Sequence, residues 1–291
     1  MKENNKVILT TFTDPMMGLS YECEPIFRKL ETHFSGRITF RYVMSGLVRD
    51  VYTLVDPLDL AKSKELAIKN YNQRLAKIYE REEAISGMPI NMEGFCLFDT
   101  EHTSSLPLNL AYKAAQLADE EKADRFLYQL RYATIVDCRP TTRREEILDV
   151  VRKTHIDERD FLRHFDGETA SKALEQDLKC TQTLDIYSLP AYLMEYQGRE
   201  LLIQSLLDYS TFVSAIEKIS NENINPISVQ PTQEKLRKLL NHHPVISPIE
   251  IKEAFDLPDI DAVQELIRPL LEEGCILIRN VPHGWFIEKK R

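Results

Sequence analysis

The chain has 291 residues, of which 43% are hydrophobic and 29% charged, so it is long enough for two domains with hydrophobic cores and is neither disordered nor fibrous in composition. Its formal net charge of -9 argues against broad nucleic-acid binding, because contacts to phosphates need a basic surface. It has no run of roughly twenty apolar residues that could span a membrane, and its start lacks the features of a signal peptide, so we expect a cytoplasmic protein with no membrane partner.

The first elements in chain order form a strand–helix–strand pattern. Residues 7–12 and 38–44 are rich in β-branched and aromatic side chains, which predicts two strands. Between them, residues 23–34 place Phe27 and Leu30 on one face of a helix that would pack against the sheet. We therefore predict a βαβ unit at the start of an α/β domain.

The loop that joins the first strand to this helix has the sequence TDPMMGLSY. It resembles the D-P-x-C-x-W-C-Y redox loop of DsbA-like proteins of the thioredoxin superfamily, in which two cysteines stand at the start of the first helix. Met17 stands at the first cysteine position and Ser20 at the second, and Pro25 matches the proline that kinks this helix in thioredoxins. Methionine cannot supply a thiolate and serine cannot form a disulfide, so the resemblance implies a thioredoxin-like fold with a degenerate redox motif.

Helical periodicity dominates the middle of the chain, and we predict a helical insertion over about residues 58–182. Turn-forming or polar clusters separate its segments. A helical insertion between the two halves of a thioredoxin-like core is what the DsbA-like resemblance implies. The predicted helices cover residues 60–86, 106–118, 121–136, 142–153, 158–165 and 168–180.

A β-hairpin follows the helical insertion, with strands at residues 191–196 and 200–203 around a Gly-containing turn. The residues before its first strand, Leu189 and Pro190, resemble the cis-proline loop that faces the redox motif in thioredoxins. We therefore predict a cis Pro190 opposite Met17. We also expect Leu189 to offer backbone hydrogen bonds to a bound polypeptide.

A polar linker, residues 221–226, divides the chain into two predicted domains, residues 1–220 and 226–291. The second domain has three short helical segments followed by a β-hairpin, which together resemble a winged helix. The predicted helices cover residues 208–219 at the end of the first domain and 232–240, 247–255 and 260–273 in the second, and the last hairpin covers 275–279 and 285–288.

The charge of the winged-helix-like domain favours a protein partner over DNA. Its third helix carries five acidic residues and one basic residue, whereas a helix that enters a DNA groove needs the reverse. The predicted wing carries a few basic residues, which leaves weak DNA contact as the less favoured alternative. These basic residues are Arg279, Lys289, Lys290 and Arg291.

Nothing in the sequence predicts a catalytic residue, a bound cofactor or a metal site. The seven histidines are dispersed, without an adjacent nucleophile or a ligand spacing. The cysteines form no C-x-x-C pair and are expected to be free thiols, and Cys23, one helical turn after Ser20, is expected to be packed rather than to replace the lost nucleophile. The five cysteines are Cys23, Cys96, Cys138, Cys180 and Cys275.

The whole chain resembles DsbA-like proteins of the FrnE and SpxH (YjbH) type, and the order of its domains resembles the SpxH group. That resemblance implies an adaptor that delivers a thioredoxin-fold transcription regulator to the ClpXP protease. The alternative is an enzyme of the DsbA-like family, either a thiol-disulfide oxidoreductase or a glutathione-dependent transferase or isomerase. A homo-oligomer stays open. The matching residues are Asp14, Pro15, Tyr21, Glu24, Pro25 and Pro190.

The degenerate loop is the predicted centre of partner binding. In this hypothesis, apolar side chains form a patch that adapts to a client, and two carboxylates form its rim. The alternative is that the same side chains pack beneath the helical insertion as part of the core. The predicted patch consists of Met16, Met17, Leu19 and Tyr21, and its rim of Glu22 and Glu24.

Overall fold

A four-stranded mixed sheet forms the centre of the amino-terminal part of the chain. The computed structural model describes residues 5–290. The strands β1 (Val7–Thr13), β2 (Ile38–Met44), β3 (Ala191–Tyr196) and β4 (Arg199–Ile203) lie in the order β2-β1-β3-β4. β1 pairs with β2 in parallel and with β3 antiparallel, and β3 and β4 form an antiparallel hairpin. This arrangement confirms the predicted βαβ unit and hairpin.

The helix between β1 and β2 is divided at Cys23 into α1 (Gly18–Glu22) and α2 (Glu24–Phe34). The helix predicted over residues 23–34 is confirmed as α2, whereas α1 was not predicted as a separate helix. The two are separated because Pro25 has no N–H to donate to the carbonyl of Tyr21. The N–H of Cys23 donates to that carbonyl instead, which ends α1. The apolar face of α2 packs on the sheet together with α10 (Tyr209–Ser220), as the helical spacing predicted.

Seven α-helices lie between β2 and β3 in the described part of the chain and confirm the helical insertion. The long helix α4 packs against the start of α1 at Gly18. Their apolar faces form one core with residues around the loop, including Met16 and Tyr21. The helices are α3 (Pro57–Leu60), α4 (Lys64–Ser86), α5 (Leu106–Ala118), α6 (Glu120–Ile135), α7 (Arg144–Lys153), α8 (Glu158–Phe165) and α9 (Glu168–Thr183).

The carboxyl-terminal part has its own core of buried apolar side chains and its own three-stranded sheet, in the order β5-β7-β6. The predicted helices and hairpin are present, and the two-residue strand β5 was not predicted because so short a strand has no periodicity. The assignment of this part to the winged-helix fold, and the division of the chain into two domains, stay predictions. The elements are α11 (Gln233–His242), β5 (Val245–Ile246), α12 (Pro248–Ala254), α13 (Ile260–Glu272), β6 (Ile276–Val281) and β7 (Gly284–Lys289).

Two predictions concern the last residue of the predicted wing and the absence of a membrane-spanning segment. Residues 1–4 and Arg291, the last basic residue of the predicted wing, lie outside the described residues. Within residues 5–290, none of the helices is both long enough and apolar enough to cross a membrane.

Candidate functional site

The loop between β1 and α1 is organised by the buried carboxylate of Asp14. Its Oδ1 accepts a hydrogen bond from the N–H of Met16 at 3.0 Å. Its Oδ2 accepts from the N–H of Leu47 at 2.7 Å and from Nδ2 of Asn109 at 2.8 Å. Burial raises the pKa of Asp14, although these hydrogen bonds oppose the shift. Asp14 thus joins the loop to the segment after β2 and to α5, so its role at this position is structural.

Met17 and Ser20, which the sequence predicts to stand at the redox-cysteine positions, are both buried. Met17 is 4% exposed and is the N-cap residue of α1, with its N–H donating to the carbonyl of Asp14 at 3.1 Å. Ser20 is 1% exposed, and its Oγ lies 2.7 Å from Oγ1 of Thr13 in a hydrogen bond. Neither residue can supply a thiol to a substrate, and neither side chain is accessible to one in this conformation.

The helix α4 covers the start of α1, and Gly18 makes this close packing feasible. A Cβ at Gly18 would lie 1.9 Å from Oε2 of Glu82 and 2.6 Å from the ring of Tyr79. The hydroxyl of Tyr79 also donates a hydrogen bond to the carbonyl of Met16. The surface that a thioredoxin motif would present to a substrate is therefore occupied by a helix of the same chain.

The predicted exposure of the loop patch is wrong, because α4 and the segment after it cover the loop. The hydroxyl of Tyr21 donates to the carbonyl of Pro89 at 2.8 Å, and the N–H of Ser86 donates to Oε2 of Glu22 at 3.0 Å. The structure agrees with the alternative that these residues pack beneath the helical insertion. Contact between them and a partner stays a prediction. The buried members are Met16, Met17, Tyr21, Glu22 and Glu24, and Leu19 is partly exposed.

The thiol of Cys23 is buried beside α1 and does not substitute for the missing nucleophile. Its Sγ lies 3.4 Å from the hydroxyl of Tyr192. Burial raises the pKa of Cys23 to about 12, and the neighbouring Glu24 adds to the shift. Because the reactive species is the thiolate, this thiol stays protonated and unreactive in the folded protein. The expectation of a packed free cysteine is confirmed, and the other four cysteines are also free.

The predicted cis-proline loop is present. The Leu189–Pro190 peptide bond is cis, and Ala191, the first residue of β3, pairs with Phe12 of β1. This pairing brings the loop to the end of β1 where the degenerate motif begins. Pro190 is buried and Leu189 is partly exposed. The roles predicted for Leu189 in holding a polypeptide, and for Met17 in facing Pro190, stay predictions.

A buried ion network connects the motif to the helical insertion. Nη1 of Arg131 lies 2.7 Å from Oε1 of Glu24, and Nη2 of Arg131 donates to Oγ1 of Thr13 at 3.0 Å. The second carboxylate oxygen of Glu24 lies 2.7 Å from Nη2 of Arg28. Sequence reasoning missed this network. The four-residue spacing of Glu24 and Arg28 on one helix was its only signal, and nothing pointed to Arg131.

The same network reaches the carboxyl-terminal part through Glu250 of α12. Oε1 of this buried carboxylate lies 3.5 Å from Nε of Arg28. Its Oε2 accepts hydrogen bonds from the hydroxyl of Tyr128 at 2.7 Å and from the N–H of Ser247 at 2.8 Å. Burial raises the pKa of Glu250 to about 7, against the lowering effect of Arg28. The four-stranded sheet with its helices α2 and α10 (here called the sheet domain), the insertion and the carboxyl-terminal part therefore meet at one buried polar centre.

The histidines take part in structural contacts. Nδ1 of His33 lies 2.9 Å from the hydroxyl of Tyr209, and Nε2 of His243 lies 2.7 Å from Oε2 of Glu31. Burial lowers the pKa of His243, with nearby Arg28 adding to the shift. Within residues 5–290, no group of three or more His, Cys, Asp and Glu side chains could hold a metal ion.

Three kinds of comparison show which known proteins this chain is similar to in sequence and in fold. A family model described as Thioredoxin matches residues 10–214. The ClpXP adapter protein SpxH of Halalkalibacterium halodurans is 22% identical over 280 residues, covering 95% of this chain and 87% of that protein. The SpxH of Bacillus subtilis is 21% identical over 280 residues, covering 94% and 86%. The cytosolic disulfide reductase DsbM of Pseudomonas aeruginosa, solved with GSH, has a similar fold, with a TM-score of 0.52 at 19% identity over 72% of this chain and 94% of that one.

Proposed function

Because this chain belongs to the thioredoxin family and is a DsbA-like, SpxH-type protein, we propose that it is a redox-inactive cytoplasmic adaptor that binds a protein client and delivers it to a ClpXP-type protease. The observation that carries the proposal is the degenerate motif: methionine and serine occupy the cysteine positions, and both are buried. The alignment with adapter proteins over almost the whole chain supports the same function.

Thiol chemistry receives no support from the described residues. A dithiol oxidoreductase needs an accessible thiolate and a second thiol that resolves the mixed disulfide. Cys23 is the cysteine nearest to the motif, and its thiol is buried and protonated. A transferase or isomerase that activates glutathione would need an exposed hydroxyl or thiol at the start of α1, where Met17 stands. The enzyme alternative keeps only the fold in its favour.

We further propose that residues 226–291 are a second domain of winged-helix type that contacts protein rather than DNA. The acidic side chains of the third helix support this choice, since α13 carries Asp261, Glu265 and Glu272 against Arg268. The helix α12 of this part packs against α2 and contributes Glu250 to the buried centre. A domain held in this way is suited to fix the orientation of a client relative to a protease.

The test is a reconstituted degradation assay. Purified ClpX and ClpP are mixed with the thioredoxin-fold regulator encoded in the same genome, and its disappearance is followed with and without this protein. We expect the adaptor to accelerate loss of the regulator and to leave an unrelated ClpXP substrate unaffected. A parallel insulin-reduction assay should show no activity above buffer. Unchanged degradation of the regulator, or insulin reduction that depends on Cys23, would refute the proposal.

A further inference from the structure

A cavity of about 650 Å³ lies between the sheet domain, the helical insertion and the carboxyl-terminal part. This volume is within the range of about 300–1,000 Å³ that is common for binding sites. The elements β2, α2, α6 and α11 all contribute to its wall. Residues from all of these elements line it, among them Phe40, Tyr42, Asp124, Leu127 and Leu239.

The strand β2 presents unpaired backbone groups on the side of this cavity. It is an edge strand, and no described strand pairs with its outer side. The carbonyl of Arg37 accepts from the N–H of Val7 at 2.9 Å, and the N–H of Ser45 donates to the carbonyl of Thr13 at 2.9 Å. In a parallel ladder alternate residues bond to the same neighbour, so the odd-numbered residues of this segment bond to β1.

The even-numbered residues of β2 consequently direct their N–H and C=O groups away from β1. Met44 shows this directly, because its N–H donates to Oδ2 of Asp177 at 2.9 Å rather than to a strand. The other three, Ile38, Phe40 and Tyr42, all line the cavity. They span about 13 Å at roughly 3.3 Å per residue, which is the length of four or five residues of an added strand.

The cavity also contains a carboxylate without a basic partner. Asp124 of α6 accepts a long hydrogen bond, 3.4 Å, from the hydroxyl of Tyr112. Among residues 5–290, no Lys or Arg forms an ion pair with it, because the nearby Arg28 and Arg131 are held by Glu24. The Asp124 side chain is exposed within the cavity, so its carboxylate is accessible to a ligand there.

We propose that this cavity receives an extended segment of a protein partner, which adds a fifth strand to the sheet at β2 and places a lysine or arginine side chain beside Asp124. The backbone groups of Phe40 and Tyr42 supply the hydrogen bonds of the added strand, and the aromatic side chains of β2 contact the aliphatic part of the basic side chain. The site is distinct from the degenerate motif, which α4 covers. As the route by which a client is held, this inference rests on the proposed function.

The shape of the cavity favours one extended chain over a second copy of this protein. Edge strands of two copies could pair only if both edges were open, whereas residues of α6 and α11 line the same cavity as β2. A single strand needs only about 4.8 Å beside β2. Basic residues such as Arg125, Lys235 and Lys238 also line the cavity. The positive charge of the segment is therefore required only at the position beside Asp124, which has no ion-pair partner among the described residues.

The test uses the full chain and a fluorescein-labelled heptapeptide of sequence Gly-Ser-Val-Arg-Val-Ser-Gly, with binding followed by fluorescence anisotropy. The same peptide with glutamine in place of arginine is expected to bind about tenfold more weakly or worse, because a charge-assisted hydrogen bond is lost. Asp124→Asn should weaken the arginine peptide by a similar factor and leave the glutamine peptide unchanged. Glu120→Gln, at an exposed position of the same helix outside the cavity lining, is the control and should have no effect.

Strand addition has a separate signature in the backbone. Because an added strand directs alternate N–H groups towards β2, methylation of one alternate set of peptide amides should abolish binding, and methylation of the other set should not. Hydrogen exchange at the amides of Phe40 and Tyr42, measured by NMR, should slow when the peptide binds.

Four results would overturn the inference: no binding up to about 1 mM peptide, insensitivity to Asp124→Asn, unchanged exchange at β2, or equal binding of arginine amide alone, which would make the site one for a small cation. Protection of β2 that grows with protein concentration in the absence of peptide would instead assign the edge to a second copy. If the peptide binds but this protein does not accelerate degradation of the regulator, the adaptor function is refuted and the strand-binding site is supported. If this protein accelerates degradation of the regulator but does not bind the peptide, the adaptor function is supported and the strand-binding site is refuted.

Discussion

The buried pair of Arg131 and Glu24 gives the sharpest test of how the motif region is held together. The Arg131 side chain is 1% exposed and bonds to both Glu24 and Thr13. Replacing it with methionine keeps much of the volume but leaves the buried Glu24 carboxylate with Arg28 as its remaining cation. Removing one partner of a buried ion pair typically costs about 3–5 kcal/mol, so we expect Arg131→Met to lower the free energy of unfolding by that amount.

Urea denaturation measures this change, with circular dichroism for the whole chain and the fluorescence of Trp285, the single tryptophan, for the carboxyl-terminal part. Arg131→Lys keeps the charge but cannot reach Glu24 and Thr13 together, so its loss should be smaller. The matched control is Arg144→Met, which breaks the exposed pair with Asp166 and should cost at most about 1 kcal/mol. A loss below about 1 kcal/mol for Arg131→Met would show that the network does not stabilise the fold.

Three further predictions concern the covered motif. Gly18→Ala should lower the thermal midpoint, because the added Cβ would overlap the ring of Tyr79 and overpacking typically costs about 1–3 kcal/mol. This cost should exceed the preference of about 1 kcal/mol that alanine has over glycine in a helix. An unchanged or raised midpoint would show that α4 is not packed on the motif. Cys23 should resist alkylation by iodoacetamide in the native protein and react only in denaturant, whereas the exposed Cys96 should react at once. Mass spectrometry of the digested protein measures the alkylation of each cysteine. Burial raises the pKa of Glu22 from 4.5 to about 8, so its stabilising contribution, complete below 4.5, is lost as the pH rises through 8. The thermal midpoint of Glu22→Gln should therefore rise relative to that of the parent protein between about pH 5 and pH 9. A difference between the two midpoints that does not change with pH would contradict the raised pKa of Glu22.

The elements that sequence reasoning predicted well are those specified by local pattern. The strand β2 and the helices α5 and α8 have the predicted bounds, because apolar periodicity and turn-forming residues delimit them. The cis Leu189–Pro190 bond was predicted from its place before a strand in a thioredoxin-like order. Pro25 was recognised as a feature of the family, but its effect of dividing the helix at Cys23 was not foreseen.

The environment of the motif could not be predicted, because it depends on contacts between distant segments. Glu24 and Arg131 are 107 residues apart in the chain, and no periodicity relates them. The sequence around Met17 is equally compatible with an exposed loop and with one that lies beneath a helix. Only the packing of α4 against Gly18 decides between these, and this contact depends on the path of the chain after β2.

The buried polar centre and the cavity both join the carboxyl-terminal part to the rest of the chain. Arg28 contributes to both features: it pairs with Glu24 and Glu250 in the network and lies in the cavity wall. Since α11 supplies part of that wall, displacement of the carboxyl-terminal part would open the cavity and break the ion pair between Arg28 and Glu250. An occupant of the cavity would therefore contact the sheet domain and the carboxyl-terminal part at once. Its binding energy would then favour the docked arrangement, so partner binding and domain docking are coupled by the same residues.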